Sequence, residues 1–133
     1  MKKMIIVSGQ GNTGKTSAIK GAISVFCNVL AKPTGDITII TPIRKSGAVH
    51  HVGFASGGDT EEIVRSNIDF FEKHDWDCLV FACKSRGATL VLLKKFAGTK
   101  GISPIYINTL RQGMNAISAH TTKIVGQIAS NIP

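Results

Sequence analysis

The segment Met4–Thr16, with the sequence MIIVSGQGNTGKT, contains the strongest structural signal in the chain. Its first five residues form a short apolar run, which predicts a buried β-strand. A glycine-rich octapeptide, Gly9–Thr16, follows directly. Beyond it, apolar side chains recur at helical spacing, at Ile19, Ile23, Phe26 and Leu30. The octapeptide therefore connects a strand to an amphipathic helix.

The octapeptide Gly9–Thr16 has the residue types that a phosphate-binding loop requires. Glycines let the backbone turn through positive φ and approach a ligand without a Cβ in the way. The loop amides then point inward as a nest of donors, and the following helix adds the positive end of its dipole. Lys15 would then reach the β- and γ-phosphates of a nucleotide, and the Thr16 hydroxyl would ligate Mg²⁺. The octapeptide matches Gly-x-x-x-x-Gly-Lys-[Ser/Thr] at every specified position, and over the first quarter of the chain this resembles the P-loop (Walker A) NTPase superfamily.

This resemblance implies a site for ATP and Mg²⁺. The residues expected to bind the nucleotide are Gly9, Gln10, Gly11, Asn12, Thr13, Gly14, Lys15, Thr16 and Ser17. The alternative is a strand-to-helix turn that matches by chance, and the flanking elements favour the binding loop over it. GTP-selective members carry [Asn/Thr]-Lys-x-Asp. The nearest string, Glu72-Lys73-His74-Asp75, begins with the wrong residue and precedes a strand, so ATP is the expected nucleotide.

The composition predicts one globular domain over residues 1–133. No apolar run approaches the roughly 18 residues that a membrane span requires. Cys27, Cys78 and Cys83 are odd in number and lack C-x-x-C spacing, which favours neither a disulfide framework nor a zinc site. We therefore expect a cytoplasmic protein with no membrane partner.

The charge is unevenly distributed along the chain. The net charge is +8, and all eight acidic residues lie between positions 36 and 77. Residues 78–133 carry seven Lys or Arg and no acid. A chain of this kind is expected to attract polyanions, which include nucleoside triphosphates and nucleic acids. A solubilising surface explains the same charges, because the basic residues are scattered.

Strand and helix patterns alternate over the whole chain. Strands are predicted at Met4–Ser8, Ile37–Ile43, Val49–Ala55, Cys78–Cys83 and Pro104–Asn108, and helices at Gly14–Ala31 (with the end of the loop), Glu61–His74, Thr89–Ala97 and Met114–Ser130. This alternation predicts a single α/β domain of three layers, similar to P-loop NTPases, with a mostly parallel five-stranded sheet and helices on both faces. Ligands then bind at the carboxyl ends of the strands.

The directions of the second and third strands stay open. The short loop Arg44-Lys45-Ser46-Gly47 between them favours an antiparallel pair. Cys78–Cys83 should run parallel to the first strand, so the helix before it should begin at the ligand edge. Either the second strand is therefore the antiparallel one, or the segment Ser56–Asp59 returns the chain to that edge. If the second strand is instead parallel, Asp36 lies far from the phosphates and serves a turn.

A P-loop enzyme usually carries an aspartate at the end of a second buried strand, where it holds Mg²⁺ through water. Asp77 stands at the start of Cys78–Cys83, and no acid follows that strand. Elimination therefore favours Asp59, after the flexible turn Ser56-Gly57-Gly58, as the metal-binding acid beside Thr16.

The residues around Asp59 also allow a purely structural interpretation. Asp59-Thr60-Glu61-Glu62 has the form of a helix N-cap followed three residues later by a glutamate, like a capping box. In the catalytic interpretation, Glu61 or Glu62 positions a water. The two roles of Asp59 are compatible.

Two further segments follow strands at the predicted ligand edge. In Lys84-Ser85-Arg86-Gly87, Arg86 or Lys84 would neutralise charge on a transferred phosphoryl group, although a solvated basic turn explains the same residues. Asn108-Thr109-Leu110-Arg111 lies where a base would be contacted. The predicted catalytic residues are Lys15, Asp59, Glu62 and Arg86.

Three functions are compatible with these residues. The first is a small Mg²⁺-dependent ATPase or ATP-driven switch, in which the γ-phosphate orders Gly57–Glu62. The second is a kinase that transfers the γ-phosphate of ATP to a small molecule or nucleotide. The third is a non-catalytic module that binds nucleotide or nucleic acid and regulates a protein partner, as a subunit of a homo-oligomer or of another assembly.

Overall fold

The computed structural model of the chain describes residues 2–9, 15–26, 36–45, 47–84, 86–109 and 117–133. In chain order, these residues form β1 (Lys3–Ser8), α1 (Lys15–Phe26), β2 (Thr38–Lys45), β3 (Ala48–Ala55), α2 (Glu61–Glu72), β4 (Cys78–Cys83), α3 (Ala88–Thr99), β5 (Ile105–Asn108) and α4 (Ile117–Asn131). The predicted alternation of strands and helices is confirmed. The predicted end of the first helix, at residues 27–31, and the predicted start of the last, at 114–116, lie outside the described residues.

The strands form one mixed sheet in the order β2-β3-β4-β1-β5. β2 and β3 are antiparallel, as expected from the short loop between them, and β3, β4, β1 and β5 run parallel. Gly47, with φ of 82°, lies in the hairpin that reverses the chain. Of the two topologies left open, the structure has β2 as the antiparallel strand. β3 therefore ends at the same edge of the sheet as β1, and Ser56–Asp59 does not have to return the chain to that edge.

Helices cover both faces of the sheet because its central strands are apolar on both sides. In β4, Val80 lies in one core with residues of α1 and α4, and its neighbour Phe81 lies in the other core with residues of α2 and α3. Successive side chains of a strand point to opposite faces, so a continuous apolar run requires cover on both. All six residues of β4 are buried accordingly. The chain thus forms the three layers that the pattern predicts.

The described helices are of ordinary length for an α/β domain. The longest, α4, has 15 residues, and none of those described is both long and apolar enough to cross a bilayer.

Candidate functional site

The ends of the parallel strands form one edge of the sheet, here called the carboxyl edge. Gly9 follows β1, Lys84 follows β4 and Thr109 follows β5 at this edge. The Gly9 amide donates to the Cys83 carbonyl oxygen at 3.1 Å, and the Thr109 amide donates to the Ser8 carbonyl oxygen at 2.7 Å. α1 begins at Lys15 on the same edge. The described ends of the octapeptide therefore lie where a parallel sheet presents its ligand site.

Lys15 is a charged residue that is nearly buried at this edge. Only 6% of the residue is exposed. Its ammonium donates to the Gly9 carbonyl oxygen at 2.8 Å and lies 3.4 Å from Asp59 Oδ1. A nearly buried ammonium is stable only with such partners, because desolvation disfavours the charge. Asp59 itself keeps 61% of its side chain exposed, so its carboxylate faces both Lys15 and solvent.

The turn that carries Asp59 crosses the end of β4. β4 lies between β3 and β1 in the sheet, so a residue that follows β3 reaches Lys15 only by passing over one strand, or about 5 Å of sheet width. Gly58 makes this crossing. A Cβ on Gly58 would lie 1.9 Å from the Ala82 carbonyl oxygen. The backbone therefore approaches β4 at a distance that only glycine allows.

Hydrogen bonds fix the start of the same turn to the beginning of β2. The Ser56 amide donates to the Ile37 carbonyl oxygen at 2.9 Å, and the Ile37 amide donates to Ser56 Oγ at 2.8 Å. Asn67 of α2 donates from Nδ2 to the Gly57 carbonyl oxygen at 2.9 Å and accepts from Thr38 Oγ1 at 2.8 Å. The start of β2 and α2 thus both hold the turn.

Asp36 also lies at the carboxyl edge, against the expectation for a parallel second strand. A Cβ on Gly57 would lie 2.8 Å from Asp36 Oδ2, so the two residues are adjacent. The physical reason is the direction of β2: an antiparallel strand begins where its parallel neighbours end. Asp36 is therefore a second carboxylate on the edge that carries Asp59.

The N-cap of α2 is Thr60, so the capping interpretation of Asp59 is wrong. Thr60 has extended backbone angles, and its Oγ1 accepts from the Ile63 amide at 3.2 Å. Because the cap falls one residue later than the pattern suggests, Glu62 is not at the position from which a capping box closes. Asp59 lies outside the helix and faces Lys15 instead.

The two glutamates of the first turn of α2 have different surroundings. Glu61 accepts from Arg65 at 2.9 Å, in an exposed pair one helical turn apart. Such a pair contributes about 0.3–0.5 kcal/mol to the helix. Glu62 is exposed next to it. Of the two residues considered for a water, Glu62 is thus the one that the Arg65 pair does not engage.

The basic residues after β4 also lie at the carboxyl edge. Lys84 and Arg86 are both exposed, and the Lys84 amide donates to Thr89 Oγ1 at 3.1 Å. Between described residues, no hydrogen bond or ion pair joins Arg86 to Asp59. Gly87, with φ of 98°, is the N-cap of α3. The structure therefore brings Lys15 and Asp59 together and leaves Arg86 on the neighbouring loop.

Asp77 and His51 lie at the opposite edge of the sheet. Asp77 Oδ2 accepts from the His51 amide at 2.8 Å, and the Asp77 carbonyl oxygen accepts from the Lys3 amide. This confirms that Asp77 is remote from Lys15. Across the part of the chain that the structure describes, no group of three or more His, Cys, Asp or Glu side chains could hold a metal ion.

Cys78 and Cys83 are core residues of β4, as the apolar pattern predicts. Burial raises the pKa of Cys83 to about 11, although the nearby charge of Lys15 acts in the opposite direction. Burial likewise raises the pKa of Cys78 to about 12. Both thiols stay protonated at neutral pH, which disfavours a nucleophilic role for Cys83 at the carboxyl edge.

Part of the predicted nucleotide site lies outside the described residues. This applies to Gln10–Gly14 and to the side chains of Thr16 and Ser17. At the end of β5, Asn108 is described, and its Oδ1 accepts from Ser8 Oγ at 2.6 Å. Leu110 and Arg111 fall outside again.

Sequence reasoning missed Asp36 and Asn67. Asp36 depends on a strand direction that the pattern left open. Asn67 carries a recognisable signal: it shares a helical face with Val64 and Phe71, three residues after one and four before the other. A polar side chain at such a buried position needs hydrogen-bond partners, and this marks it as a candidate.

Comparison with known proteins gives no assignment. The chain matches no protein-family model and no curated protein.

Proposed function

We propose that this chain is a P-loop nucleoside triphosphate-binding protein and acts as a small Mg²⁺-dependent ATPase or ATP-driven switch. The single observation that carries the proposal is the environment of Lys15. Its ammonium is nearly buried between the end of β1 and the start of α1, 2.8 Å from the Gly9 carbonyl oxygen and 3.4 Å from Asp59. A lysine at this point of a Gly-x-x-x-x-Gly-Lys-Thr segment is suited to bind the β- and γ-phosphates.

In this proposal the residues Gly9–Ser17 bind the triphosphate through backbone amides. The N-terminus of α1 supplies orphan amides and a positive dipole end, which favour an anion. Lys15 adds a full charge that is already desolvated, so its interaction with a phosphate is stronger than that of a lysine in water. The absence of the guanine-selective motif from the sequence favours ATP.

The donor set of the carboxyl edge fits Mg²⁺. This ion usually keeps several waters and takes one or two carboxylates together with substrate phosphates. Asp59, largely exposed beside Lys15, is the carboxylate that we assign to it, together with the Thr16 hydroxyl. When bound, the ion would neutralise charge on the phosphates.

The remaining predicted residues receive supporting roles. Glu62 is exposed in the first turn of α2, close in sequence to Asp59, and would orient a water for hydrolysis. Arg86 is exposed at the same edge and would stabilise charge on the transferred phosphoryl group. A protein partner, a second copy or a nucleic acid is compatible with the basic C-terminal region.

The test is phosphate release from Mg·ATP and Mg·GTP by purified protein, alone and with mixed nucleosides and nucleotides as acceptors. Lys15→Ala is the critical variant, and Lys95→Ala, an exposed lysine of α3, is its matched control. We expect release from ATP that Lys15→Ala abolishes and Lys95→Ala retains. Transfer only to an acceptor would favour the kinase. No turnover, with ATP still raising the melting temperature, would indicate a binding module. No effect of either nucleotide would refute the proposal.

A further inference from the structure

Asn67 is a buried polar residue whose two functional groups are both engaged. It lies on the inner face of α2 and is 5% exposed. Nδ2 donates to the Gly57 carbonyl oxygen at 2.9 Å, and Oδ1 accepts from the Thr38 hydroxyl at 2.8 Å. Burying a carboxamide in the middle of an apolar helix face removes its hydrogen bonds to water, so hydrogen bonds to protein partners have to replace them.

The chemistry of these partners permits one orientation of the carboxamide. The Gly57 carbonyl oxygen can only accept, so it requires the NH₂ group. The Thr38 hydroxyl can either donate or accept, and it adapts by donating to Oδ1. The reverse orientation would set one carbonyl oxygen against another. The Gly57 carbonyl oxygen therefore selects this orientation, and the Thr38 hydroxyl supplies the partner that the buried Asn67 Oδ1 needs.

The hydrogen bond from Asn67 constrains the glycine pair that leads to Asp59. Gly57 and Gly58 are consecutive glycines with wide backbone freedom, and they lead directly to Asp59. Ser56 is tied to Ile37, but that anchor lies three residues before Asp59. The Asn67 bond fixes the next carbonyl along the chain, immediately before Gly58 crosses β4.

We propose that Asn67 is a positioning residue, which holds the Gly57–Gly58 turn so that the Asp59 carboxylate stays beside Lys15. This inference rests on the proposed function for its catalytic consequence. Asn67 touches neither nucleotide nor metal in this scheme. It acts through Gly57, and Thr38 acts through Asn67.

The kinetic test compares Asn67→Ala and Thr38→Val with two controls on α2. Phe71→Leu weakens the core at the far end of the helix without touching the turn, and Ser66→Ala changes the exposed neighbour of Asn67. We expect Asn67→Ala to lower kcat for ATP hydrolysis by about 10- to 100-fold with little change in KM, since small displacements of a catalytic group have effects of this size. Thr38→Val should give a smaller loss in the same parameter, and both controls should keep kcat.

A double variant separates positioning from general destabilisation. In an Asp59→Asn background, Asn67→Ala should lower kcat no further, because the group that it positions is already removed. Its effect on the melting temperature should persist in that background. Multiplicative losses in kcat would overturn the positioning role.

A chemical cross-link tests the same geometry without turnover. A water-soluble carbodiimide joins a carboxylate to an amine in contact with it, so it should link Asp59 to Lys15, and mass spectrometry of the digested protein measures the yield. We expect this yield to fall severalfold in Asn67→Ala and to be unchanged in Phe71→Leu. Equal yields in the wild type and Asn67→Ala would overturn the inference. If the wild type hydrolyses no nucleotide, the proposed function fails, while the cross-link still decides whether Asn67 positions Asp59.

Discussion

At the scale of single residues, Asp59 and its neighbour Thr60 have different roles. Asp59 and Thr60 are adjacent and both suit a helix N-cap by type. The structure gives the cap to Thr60 and turns Asp59 toward Lys15, at 3.4 Å. The Asp59 side chain is largely exposed, so its ion pair with Lys15 contributes at most about 1 kcal/mol to folding. Its value lies in placing a carboxylate at the carboxyl edge.

Adjacent substitutions at Asp59 and Thr60 should therefore separate function from stability. We expect Asp59→Asn to lower ATP turnover by about 10- to 100-fold, as loss of a residue that orients a metal site does, with little change in melting temperature. Thr60→Ala should cost about 1 kcal/mol of stability through loss of the cap and leave turnover nearly unchanged. Phosphate release and thermal denaturation of both variants measure this. The reverse pattern would return Asp59 to a capping role.

The buried thiols predict a loss of stability at alkaline pH. Burial raises the pKa of Cys78 to about 12 and that of Cys83 to about 11, from an ordinary value of 9.0. Above pH 9 the unfolded chain releases these protons while the folded chain keeps them. Their contribution is therefore complete below pH 9 and falls as the pH rises toward 11 for Cys83 and toward 12 for Cys78. Each thiol should cost about 1.4 kcal/mol at pH 10.

Urea unfolding at pH 8 and pH 10 measures this effect, in a Cys27→Ser background that leaves only the two described thiols. The difference in unfolding free energy between the two pH values should shrink when Cys78 and Cys83 are both replaced by Ala. An equal difference with and without the thiols would contradict the prediction.

At the scale of elements, the order of the strands sets the requirements on the connection from β3 to α2. β4 lies between β3 and β1, so the turn has to pass over its end to bring Asp59 to Lys15. Gly58 lies against the Ala82 carbonyl oxygen, which belongs to the backbone of a central strand and cannot yield. The glycine pair is thus a consequence of topology.

Two Gly→Ala substitutions test this account, and they should have opposite signs. A Cβ on Gly58 would lie 1.9 Å from the Ala82 oxygen, so Gly58→Ala should destabilise the fold by about 1–3 kcal/mol and displace the turn, with loss of turnover. Gly126 lies within α4, and a Cβ there would meet no neighbouring side chain within 4 Å, so Gly126→Ala should stabilise by about 0.5–1 kcal/mol. Thermal denaturation distinguishes the two. If Gly58→Ala left the melting temperature unchanged, the backbone at Gly58 would not approach the Ala82 carbonyl oxygen as closely as described here.

At the scale of the whole molecule, the two cores share the same strands. Ile5 belongs to the core beneath α1 and α4, and Ile6 belongs to the core beneath α2 and α3. Neither helix layer can separate without exposing the apolar face of β1 and β4 that it covers, and a sheet bare on one face loses one of the two cores that stabilise its strands. The domain should therefore unfold as one cooperative unit.

Ile5→Val and Ile6→Val test this cooperativity from opposite faces. Each should cost about 0.5–1.5 kcal/mol. Trp76 is the single tryptophan and lies in the core with Ile6, so its fluorescence reports on that face. Ile5→Val, on the other face, should nevertheless shift the Trp76 transition by as much as it shifts circular dichroism. Two transitions, or a Trp76 signal insensitive to Ile5→Val, would show that the layers unfold separately.

Local patterns were sufficient for most of the architecture. The apolar runs and helical spacings predicted five strands, four helices and a sheet covered on both faces, because periodicity reports directly on burial. The octapeptide carried the phosphate-site hypothesis, since each residue type in it answers a backbone or charge requirement of its own. The short hairpin loop favoured the antiparallel pair of β2 and β3.

The three-dimensional arrangement was needed wherever partners are distant along the chain. It determined that β2 is the reversed strand, that Asp36 reaches the carboxyl edge, and that Asn67 holds the turn before Asp59. Elimination had already pointed to Asp59, but the contact with Lys15 spans 44 positions. No periodicity records a contact of that separation, because it depends on the order of β3, β4 and β1 in the sheet.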